Sequence, residues 1–452
     1  MQSAKETLTR QAGLGQLMPT SLLAIAQKAK ELKNYRFRNL YGLLNYQNLK
    51  ITWKNINKRA ASGVDKITAR EFASDLDNNI VMIVESLKHK KYRAKLVRRV
   101  HIPKDNKGKN RPLGIPAIAD KLVQSSAAKI LEAIYEQDFI HNSYGYRPKV
   151  GAQTAIRELT KELQNGKYGY VVEADIKGYF DHIDHNWLLK MLEQRIADKS
   201  FISLINKWLK AGILETDGQV IHPTTGTPQG GIISPILANI YLHYVLDIWF
   251  EKRVKPNCDG EAYLCRYADD HICAFRYKKD AERYHNALRE RLRKFGLELA
   301  EEKTNIIRFS RFLKEENVCF EFLGFEFRWG RSRKGTDLIK RRTSRKKLNK
   351  SISNFKLWCK ENRNNRLARI FKELNSKLRG YYNYYGVIGN YKSLMEFYQI
   401  ARKILFKWLN RRSQRRSFNW SEFQRILKRY QLLLPRITET TYQQVQFEFR
   451  YA

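Results

Sequence analysis

The spacing of apolar residues along the chain predicts helices at both ends and a mixture of helices and strands between them. Near the N-terminus, apolar residues recur every three or four positions in residues 21–32 and 71–87. Residues at this spacing lie on one face of a helix, so we expect two amphipathic helices with a turn at residues 60–65 between them. The same spacing recurs in residues 120–137, 151–164, 185–195, 201–211, 232–250 and 281–295, and beyond residue 350 to about residue 434.

Shorter β-branched and apolar runs predict strands in the middle of the chain. The segments with this pattern are residues 97–102, 111–116, 170–176, 263–275 and 320–327. The first two flank a polar, basic loop that contains Gly108. Residues 263–275 form the clearest hairpin pattern, with Asp269 and Asp270 at its tip, and the last segment predicts an aromatic strand pair or sheet edge.

The order of these elements and the length of 452 residues predict several packed units rather than one domain. Composition changes at residue 331, where ten Lys and Arg and only one acid, Asp337, occur before residue 351. The fold class expected is therefore α+β, with an antiparallel sheet, followed by an all-helical basic module. The expected units are an N-terminal helical extension (1–95), a mixed unit (96–330), a helical basic module (331–408) and a short basic segment (409–452).

The net charge indicates a polyanionic partner. Lys and Arg number 85 against 45 Asp and Glu, a formal net charge of +40. Self-repulsion on that scale is typical of proteins that bind nucleic acid. An anionic membrane is the competing partner, but no run of 18 apolar residues could span a bilayer, so we expect no membrane partner. A basic protein without such a partner is the remaining alternative.

Cysteine usage argues against disulfide and zinc chemistry. The five cysteines are an odd number and form no Cys-x-x-Cys pair, so we expect neither a disulfide framework nor a zinc site. This usage fits a reducing compartment, and we expect a cytoplasmic, nucleic-acid-associated protein.

Three aspartates carry the strongest chemical signal. Asp175 ends the apolar strand pattern of residues 170–176, and Asp269 and Asp270 interrupt an apolar hairpin. If the two strands pair, the three carboxylates converge, and Mg²⁺ prefers such oxygen ligands. Two metal ions held there could stabilise the attacking and leaving oxygens of a phosphoryl transfer. The alternative is that the Asp269-Asp270 pair only forms a turn.

Motifs around these aspartates resemble those of reverse transcriptases. YADD at residues 267–270 is similar to their catalytic box, and DIKGYF at residues 175–180 to their first catalytic motif. Further stretches resemble bacterial group II intron-encoded reverse transcriptase–maturases across residues 40–436. They are SGVDKIT (62–68), IPK (102–104), RPLGIP (111–116), TTGTPQGGIISP (224–235) and FLGF (322–325).

The resemblance implies a right-hand polymerase with fingers, a palm and a basic helical thumb. It implies catalysis by Asp175, Asp269 and Asp270, and two Mg²⁺ ions, with Mn²⁺ as an alternative, held by these residues and Ile176. It also implies deoxynucleoside triphosphates as substrates and RNA template and primer as partners. The implied nucleotide-binding residues are Lys104, Arg111, Phe180, Gln229, Gly230 and Lys303.

The residues themselves leave alternatives to these nucleotide roles. Two cations on a flexible loop suit a triphosphate, yet Lys104 and Arg111 could belong to a generic basic hairpin. Phe180 could exclude a 2′-hydroxyl or simply fill a core. Lys303 could serve the leaving pyrophosphate or lie free on the surface.

The C-terminal third combines basic and aromatic residues, as nucleic-acid-binding surfaces do. A tyrosine core within a helical unit is the alternative, and both could hold on different faces. The candidate residues are Arg341, Arg342, Lys346, Lys347, Arg379, Tyr381, Tyr382, Arg411 and Arg412. The resemblance implies that they grip primer and template, group II intron RNA and target DNA.

Three functions remain open from the sequence. The first is an active reverse transcriptase that also assists splicing and mobility of its intron. The second is a domesticated relative in phage defence, CRISPR spacer acquisition or DNA repair. The third is a catalytically silent RNA-binding splicing factor. Because no Cys or His follows Cys359, we expect a form without the endonuclease domain of many relatives, which would take its primer from elsewhere.

Overall fold

The computed structural model describes residues 20–103, 110–228, 230–312, 318–412 and 417–439. The helices are α1 Thr20–Glu31, α2 Tyr46–Trp53, α3 Ala69–Ser74, α4 Leu76–Lys88, α5 Ile118–Tyr135, α6 Ala152–Asn165, α7 His185–Glu193, α8 Lys199–Leu209, α9 Ser234–Leu242, α10 Lys278–Lys294, α11 Arg345–Asn362, α12 Leu367–Tyr385, α13 Tyr391–Leu409 and α14 Trp420–Arg429. The strands are β1 Val97–Pro103, β2 Asn110–Ile115, β3 Tyr170–Ala174, β4 Ile213–Leu214, β5 Val220–Ile221, β6 Ala262–Tyr267, β7 Asp270–Phe275, β8 Asn305–Arg308, β9 Phe320–Phe322, β10 Phe325–Arg331 and β11 Asp337–Thr343.

The strands form three sheets. The first has the order β2-β1-β4-β5, with β1 and β4 parallel and the other pairs antiparallel. The second, in the order β6-β7-β3-β8, is antiparallel throughout, as is the three-stranded sheet β11-β10-β9. The mixed helix and sheet architecture confirms the α+β prediction and the antiparallel sheet.

The four-stranded antiparallel sheet lies between two hydrophobic cores. Side chains alternate faces along β7, so Cys273 and Phe275 enter the large core built around α5, whereas Ile272 and Ala274 enter a smaller core with α6. Burial on both faces fixes the register of this sheet, because a slip by one residue would exchange the faces. The ends of its strands are thereby held in defined positions.

The segment predicted as one helix over residues 71–87 is two helices. Thr68 accepts a hydrogen bond from the backbone N–H of Glu71, and the Glu71 carboxylate accepts one from the N–H of Thr68, so α3 begins with a capping box. The break falls at Asp75, which has non-helical backbone angles and precedes α4. Apolar spacing continues across the break, so periodicity could not reveal it.

The helix predicted over residues 232–250 begins later and changes type. It starts at Ser234 with Pro235 in its first turn, where a missing N–H costs nothing. After α9 the backbone adopts π-helical turns at His243–Asp247 and again at Phe250–Val254. A π turn carries one residue more than an α turn, so it shifts every later side chain around the helix.

The expectation of helices alone from residue 331 was wrong. Residues Asp337–Thr343 form β11, which pairs with β10 through Phe325↔Thr343 and Arg331↔Asp337. Helices begin only at Arg345, where Ser344 caps α11. The charge run masked a strand in which inward side chains such as Ile339 alternate with exposed cations.

Helices α11 to α14 pack around their own hydrophobic core. They are tied to the rest of the molecule by polar contacts, among them the hydrogen bond that the Tyr384 hydroxyl donates to the carbonyl of Leu323 at 2.9 Å. The Gln153 amide on α6 donates to the carbonyl of Asn383 at 2.6 Å. No helix in the described parts of the chain has the length and hydropathy needed to cross a membrane.

Candidate active site

The pairing of β3 with β7 brings the three predicted aspartates together. Ala174 pairs with His271, so the next residues outward, Asp175 and Asp270, face each other at the end of the sheet. Asp269 lies in the tight turn between β6 and β7, beside Ala268, whose φ of +58° is in the left-handed region. Asp175, Asp269 and Asp270 all line one cleft of about 780 Å³.

The electrostatics of the cleft show how closely these carboxylates interact. Burial raises the pKa of Asp269, and the charge of Asp175 adds to that shift. Desolvation raises the pKa of Asp270 to about 6, with further contributions from Asp269 and Asp175. Asp270 opens onto the cleft, yet protein atoms surround enough of its carboxylate to disfavour the charge. Three mutually repelling carboxylates favour the binding of cations.

Lys303 is the cation that lies nearest to them. It belongs to a short 3₁₀ turn, Glu301–Lys303, that follows α10, and its ammonium contacts the Asp175 carboxylate directly. The hydrogen bond that Lys303 donates to Asp175 raises the pKa of Lys303 above its usual value. Lys303 is an exposed lysine that nevertheless lines the cleft and pairs with Asp175, and its role toward pyrophosphate stays a prediction.

Arg111 and Phe180 lie near the cleft, although neither is one of the residues that line it. The positive charge of Arg111 opposes the upward pKa shift of Asp269 that burial causes. Phe180 packs edge-on against Tyr146 with ring centroids 6.2 Å apart, and Tyr146 lines the cleft. Both residues are therefore positioned beside the cleft, although their roles toward a nucleotide stay predictions.

Gly230 has a packing reason to be glycine. Its φ is +107°, and a Cβ there would lie 2.6 Å from the carbonyl oxygen of Gly114 on β2. The backbone at Gly230 thus packs closely against a neighbouring strand, which any side chain would push away, and the role of Gly230 toward a nucleotide stays a prediction. Two other predicted nucleotide-binding residues, Lys104 and Gln229, lie outside the described residues.

Two of the basic residues predicted to bind nucleic acid enter the cleft itself. Lys346 and Lys347, in the first turn of α11, line it together with the aspartates. The charge of Lys347 also reaches Asp270, whose pKa it lowers against the larger effect of burial. The first turn of the helical module therefore contributes cations to the same cleft as the sheet.

Two other residues predicted to contact nucleic acid, Tyr382 and Arg341, are buried inside the fold, and a third, Arg412, is half-buried and bonded to the backbone. Tyr382 is fully buried and donates a hydrogen bond to the carbonyl of Leu433. Arg341 is buried and forms a two-point ion pair with Glu439, both distances being 3.0 Å. Arg412 donates to backbone carbonyls at the end of α11 and the start of α12.

The remaining candidates in this module have mixed surroundings. Tyr381 is half-buried and stacks on Phe397, with ring centroids 4.1 Å apart, so the tyrosine core weighed as an alternative exists. Arg342 pairs with Glu326. Arg379 and Arg411 are exposed, and Arg411 lies over the Trp408 ring. Of these, Arg379 and Arg411 have the accessibility that a phosphate contact needs.

Sequence reasoning missed several cleft residues. Tyr146, Tyr384 and Tyr385 line the cleft, although they lie far from the aspartates in sequence. A buried His271 follows the aspartate pair, and burial lowers its pKa to about 4, which keeps the ring neutral. The many aromatic residues at 379–386 could have pointed to cleft residues. Which of their rings face the cleft, however, depends on the position of each residue around the helix.

The donors at the cleft suit a hard divalent cation. They are mainly carboxylate oxygens, which Mg²⁺ and Mn²⁺ accept; Cys319 also lines the cleft, but burial raises the pKa of its thiol. Among the described residues, no three acidic, imidazole or thiol side chains are arranged in this structure so that they could together hold a metal ion. Ile176 buries its side chain in the large core, so only its carbonyl could contribute. Metal binding by Asp175, Ile176, Asp269 and Asp270 stays a prediction.

Comparison with known proteins gives a consistent result. A family model described as reverse transcriptase (RNA-dependent DNA polymerase) matches residues 102–327, which include all three aspartates and both strands that carry them. The chain is 31% identical to the group II intron-encoded protein LtrA of Lactococcus lactis subsp. cremoris over 461 aligned positions. That alignment covers 82% of this chain and 74% of the relative.

Other relatives show the same relationship over shorter lengths. The chain is 34% identical over 306 residues to protein YkfC of Escherichia coli, covering 60% of this chain and 77% of the relative. It is 29% identical over 377 residues to the putative COX1/OXI3 intron 1 protein of Saccharomyces cerevisiae, covering 68% of this chain and 45% of that one.

Proposed function

The chain belongs to the family of group II intron-encoded reverse transcriptases, and from this premise we propose that it is an active RNA-directed DNA polymerase. The observation that carries the proposal is the convergence of Asp175, Asp269 and Asp270 at one end of an antiparallel sheet. A polymerase that had lost its chemistry would have no need to keep three repelling carboxylates in one cleft.

The proposal assigns the parts of a right hand to the described elements. The sheet β6-β7-β3-β8 is the palm, the sheet with β1 and β2 belongs to the fingers, and helices α11 to α14 form the thumb. The helices between residues 20 and 88 would form the N-terminal extension and the start of the fingers. The thumb helices start at Arg345 rather than at residue 331, and the hairpin of β10 and β11 connects them to the palm.

The cleft residues then have distinct tasks. Asp175, Asp269 and Asp270, with the carbonyl of Ile176, would hold two Mg²⁺ or Mn²⁺ ions. Such ions, when bound, stabilise the attacking and leaving oxygens of an in-line phosphoryl transfer. Arg111 offers a planar pair of donors to a triphosphate of the incoming deoxynucleotide, and Lys104, Gln229 and Gly230 would complete that site.

Lys303 would serve the leaving group. In the structure its ammonium compensates the charge of Asp175. On the leaving group, this ammonium would meet the negative charge that develops on pyrophosphate and would donate a proton to it. Phe180 would lie beneath the sugar and exclude a 2′-hydroxyl.

The primer and template would cross the cleft toward the thumb. Lys346 and Lys347 supply charge for phosphates, and Tyr384 offers a ring that is 39% exposed for stacking. Arg379 and Arg411 extend the basic surface along the thumb. Shape and backbone contacts of this kind suit an RNA-containing duplex.

A primer-extension assay on an RNA template tests the polymerase. Wild type should make cDNA with Mg²⁺, and Asp269→Ala should abolish synthesis while binding the same RNA as well as wild type. Asp217→Ala, which removes an exposed carboxylate from a surface turn, is the matched control and should keep full activity. If wild type makes no cDNA, or Asp269→Ala retains full activity, the proposal fails and the silent splicing factor becomes the better account.

A second function, binding and assisting a group II intron RNA, rests on the relatives. The L. lactis relative is a group II intron-encoded protein, and the yeast relative is named for an intron. Sequencing the RNA that copurifies with the protein should recover a group II intron, and adding the protein should speed the splicing of that RNA. Recovery of unrelated RNA, with no intron domains flanking the gene, would favour a domesticated polymerase instead.

A further inference from the structure

The hairpin tip that carries Asp269 and Asp270 rests on a buried polar network. Arg266, the most voluminous fully buried side chain of the described residues, points beneath the tip from β6. Its Nε and Nη2 donate to the two carboxylate oxygens of Asp247, both at 2.6 Å. Its Nη1 donates to the carbonyl of Ala268 at 3.0 Å and to the side-chain oxygen of Asn239 at 3.1 Å. One guanidinium therefore joins the tip to the helix that packs under the sheet.

The same network reaches the tip by a second route. The amide of Asn239 donates to the carbonyl of Gly145, and a Cβ on Gly145 would lie 2.2 Å from the backbone nitrogen of Ala268. Gly145 is thus packed directly against the residue that turns the chain. Ala268 itself has a left-handed φ of +58°, which a non-glycine residue keeps only when its surroundings hold it there.

The register of Asp247 depends on an unusual helix. It ends the π-helical segment His243–Asp247, which follows α9 without interruption. An α-helical path would rotate Asp247 away from Arg266, because it would lack the additional residue in the turn. Such π segments are frequent at functional sites, and here the segment aligns a buried carboxylate with a buried guanidinium.

We propose that Arg266 is a positioning residue for the metal-binding tip, acting through its buried ion pair with Asp247 and its hydrogen bond to Ala268. The proposal rests on the polymerase function only in assigning metal ions to Asp269 and Asp270. Buried ion pairs are poor stabilisers, since apolar residues of the same volume often do as well. The guanidinium of Arg266 has a different role here, because its rigid, planar donors hold the carbonyl of Ala268 in place next to Asp269 and Asp270. Neither lysine nor an apolar side chain can reproduce that arrangement.

Replacement of the pair by apolar residues separates positioning from folding. Arg266→Met combined with Asp247→Leu fills the space without leaving an unpaired charge. We expect this double variant to fold and to bind RNA, with a lower melting temperature than wild type, because Asn239 and the carbonyl of Ala268 lose a buried donor. We also expect it to bind Mn²⁺ about 10- to 100-fold more weakly and to lose a similar factor in kcat, as when partners of metal ligands are removed.

The Mn²⁺ affinity should be measured by electron paramagnetic resonance on the full chain, beside primer extension with varied Mg²⁺. The matched control is a second buried pair, Arg195 with Asp138, whose Nε–Oδ2 distance is 2.8 Å and which holds the N-terminal helix rather than the tip. Arg195→Met with Asp138→Leu should lower the melting temperature and leave the affinity for Mn²⁺ unchanged.

A folded Arg266→Met/Asp247→Leu variant with wild-type Mn²⁺ affinity and wild-type kcat would overturn the proposal. If that variant does not fold, Asp247→Asn, which keeps the shape of the side chain, is tested instead. Wild-type Mn²⁺ affinity together with wild-type kcat in Asp247→Asn would then overturn the proposal. If wild type binds Mn²⁺ but makes no cDNA, the polymerase function fails, whereas weaker Mn²⁺ binding by the variant would still support positioning by Arg266.

Discussion

The ammonium of Lys303 contacts the carboxylate of Asp175, although the two residues are 128 positions apart in the chain. The contact forms because Asp175 follows β3, and the turn Glu301–Lys303 leads into β8, the neighbour of β3 in the sheet. The ammonium of Lys303 thus lies at a carboxylate that is proposed to bind divalent cations during the reaction.

Replacing Lys303 should lower the Mg²⁺ concentration needed for half-maximal activity and should also lower the maximal turnover. In Lys303→Met, cations no longer compete with an ammonium for Asp175, so half-saturation should occur at a lower Mg²⁺ concentration. Turnover should nevertheless fall about 100-fold, since the leaving pyrophosphate loses its proton donor. A Mg²⁺ titration of primer extension measures both. Lys177→Met, which removes a nearby exposed lysine paired with Glu298, should change neither quantity.

Asp270 should make stability depend on pH in the absence of divalent cations. Its pKa of about 6 in the folded chain lies above the ordinary value of 3.8, so the folded state holds this proton more tightly than the unfolded state. The free energy of unfolding should therefore fall as the pH rises from about 4 to about 6. Asp270→Asn should remove this contribution and raise the melting temperature at pH 8, while lowering cDNA synthesis.

Thermal melts of both proteins in EDTA between pH 4 and pH 8 test this expectation. A larger melting-temperature difference at pH 4 than at pH 8 would contradict it. Glu173 offers a comparison on the same strand, because burial also raises its pKa although it belongs to no proposed metal site. Glu173→Gln should likewise relieve a buried charge, and its effect on synthesis should be far smaller.

Lys346 and Lys347 should contact phosphates of the primer–template duplex. Replacing both by alanine should weaken binding at every sequence and reduce the slope of log affinity against log salt by about one for each lysine lost. Fluorescence anisotropy across a range of KCl concentrations gives the slope. Lys356→Ala, an exposed lysine on the same helix that does not line the cleft, should affect the slope less. Equal effects of the two changes would argue against a specific path for the duplex.

Phe180 should determine sugar selection. Phe180→Ala should raise the incorporation of ribonucleotides relative to deoxynucleotides by about tenfold or more, because a side chain beneath the 2′ position is lost. The ratio of kcat/KM for the two substrates measures this effect. Tyr179→Phe removes a buried hydroxyl that donates to the carbonyl of Ala238, so it should lower stability and leave the ratio unchanged. An unchanged ratio in Phe180→Ala would reduce Phe180 to a packing residue.

The sequence by itself determined the three aspartates, the family and most of the longer strands, but not β4, β5, β8 or β11. Those features are local or depend on residues in fixed order, as with YADD at a hairpin tip. It also indicated the basic C-terminal third, since charge needs no tertiary structure to be counted. Residue roles within that third were only partly predictable: Lys346 and Lys347 line the cleft, whereas Arg341 and Tyr382 are buried.

Only the tertiary structure decided which distant residues meet. Lys303 reaches Asp175 because strand order brings the two together, and Arg266 meets Asp247 because a π-helical segment sets the phase of the helix. Neither strand order nor a shift of helical register leaves a clear trace in hydrophobic spacing, which reports how each segment is buried and not what lies against it. The sequence therefore placed the aspartates at the site, and packing determined what surrounds and supports them.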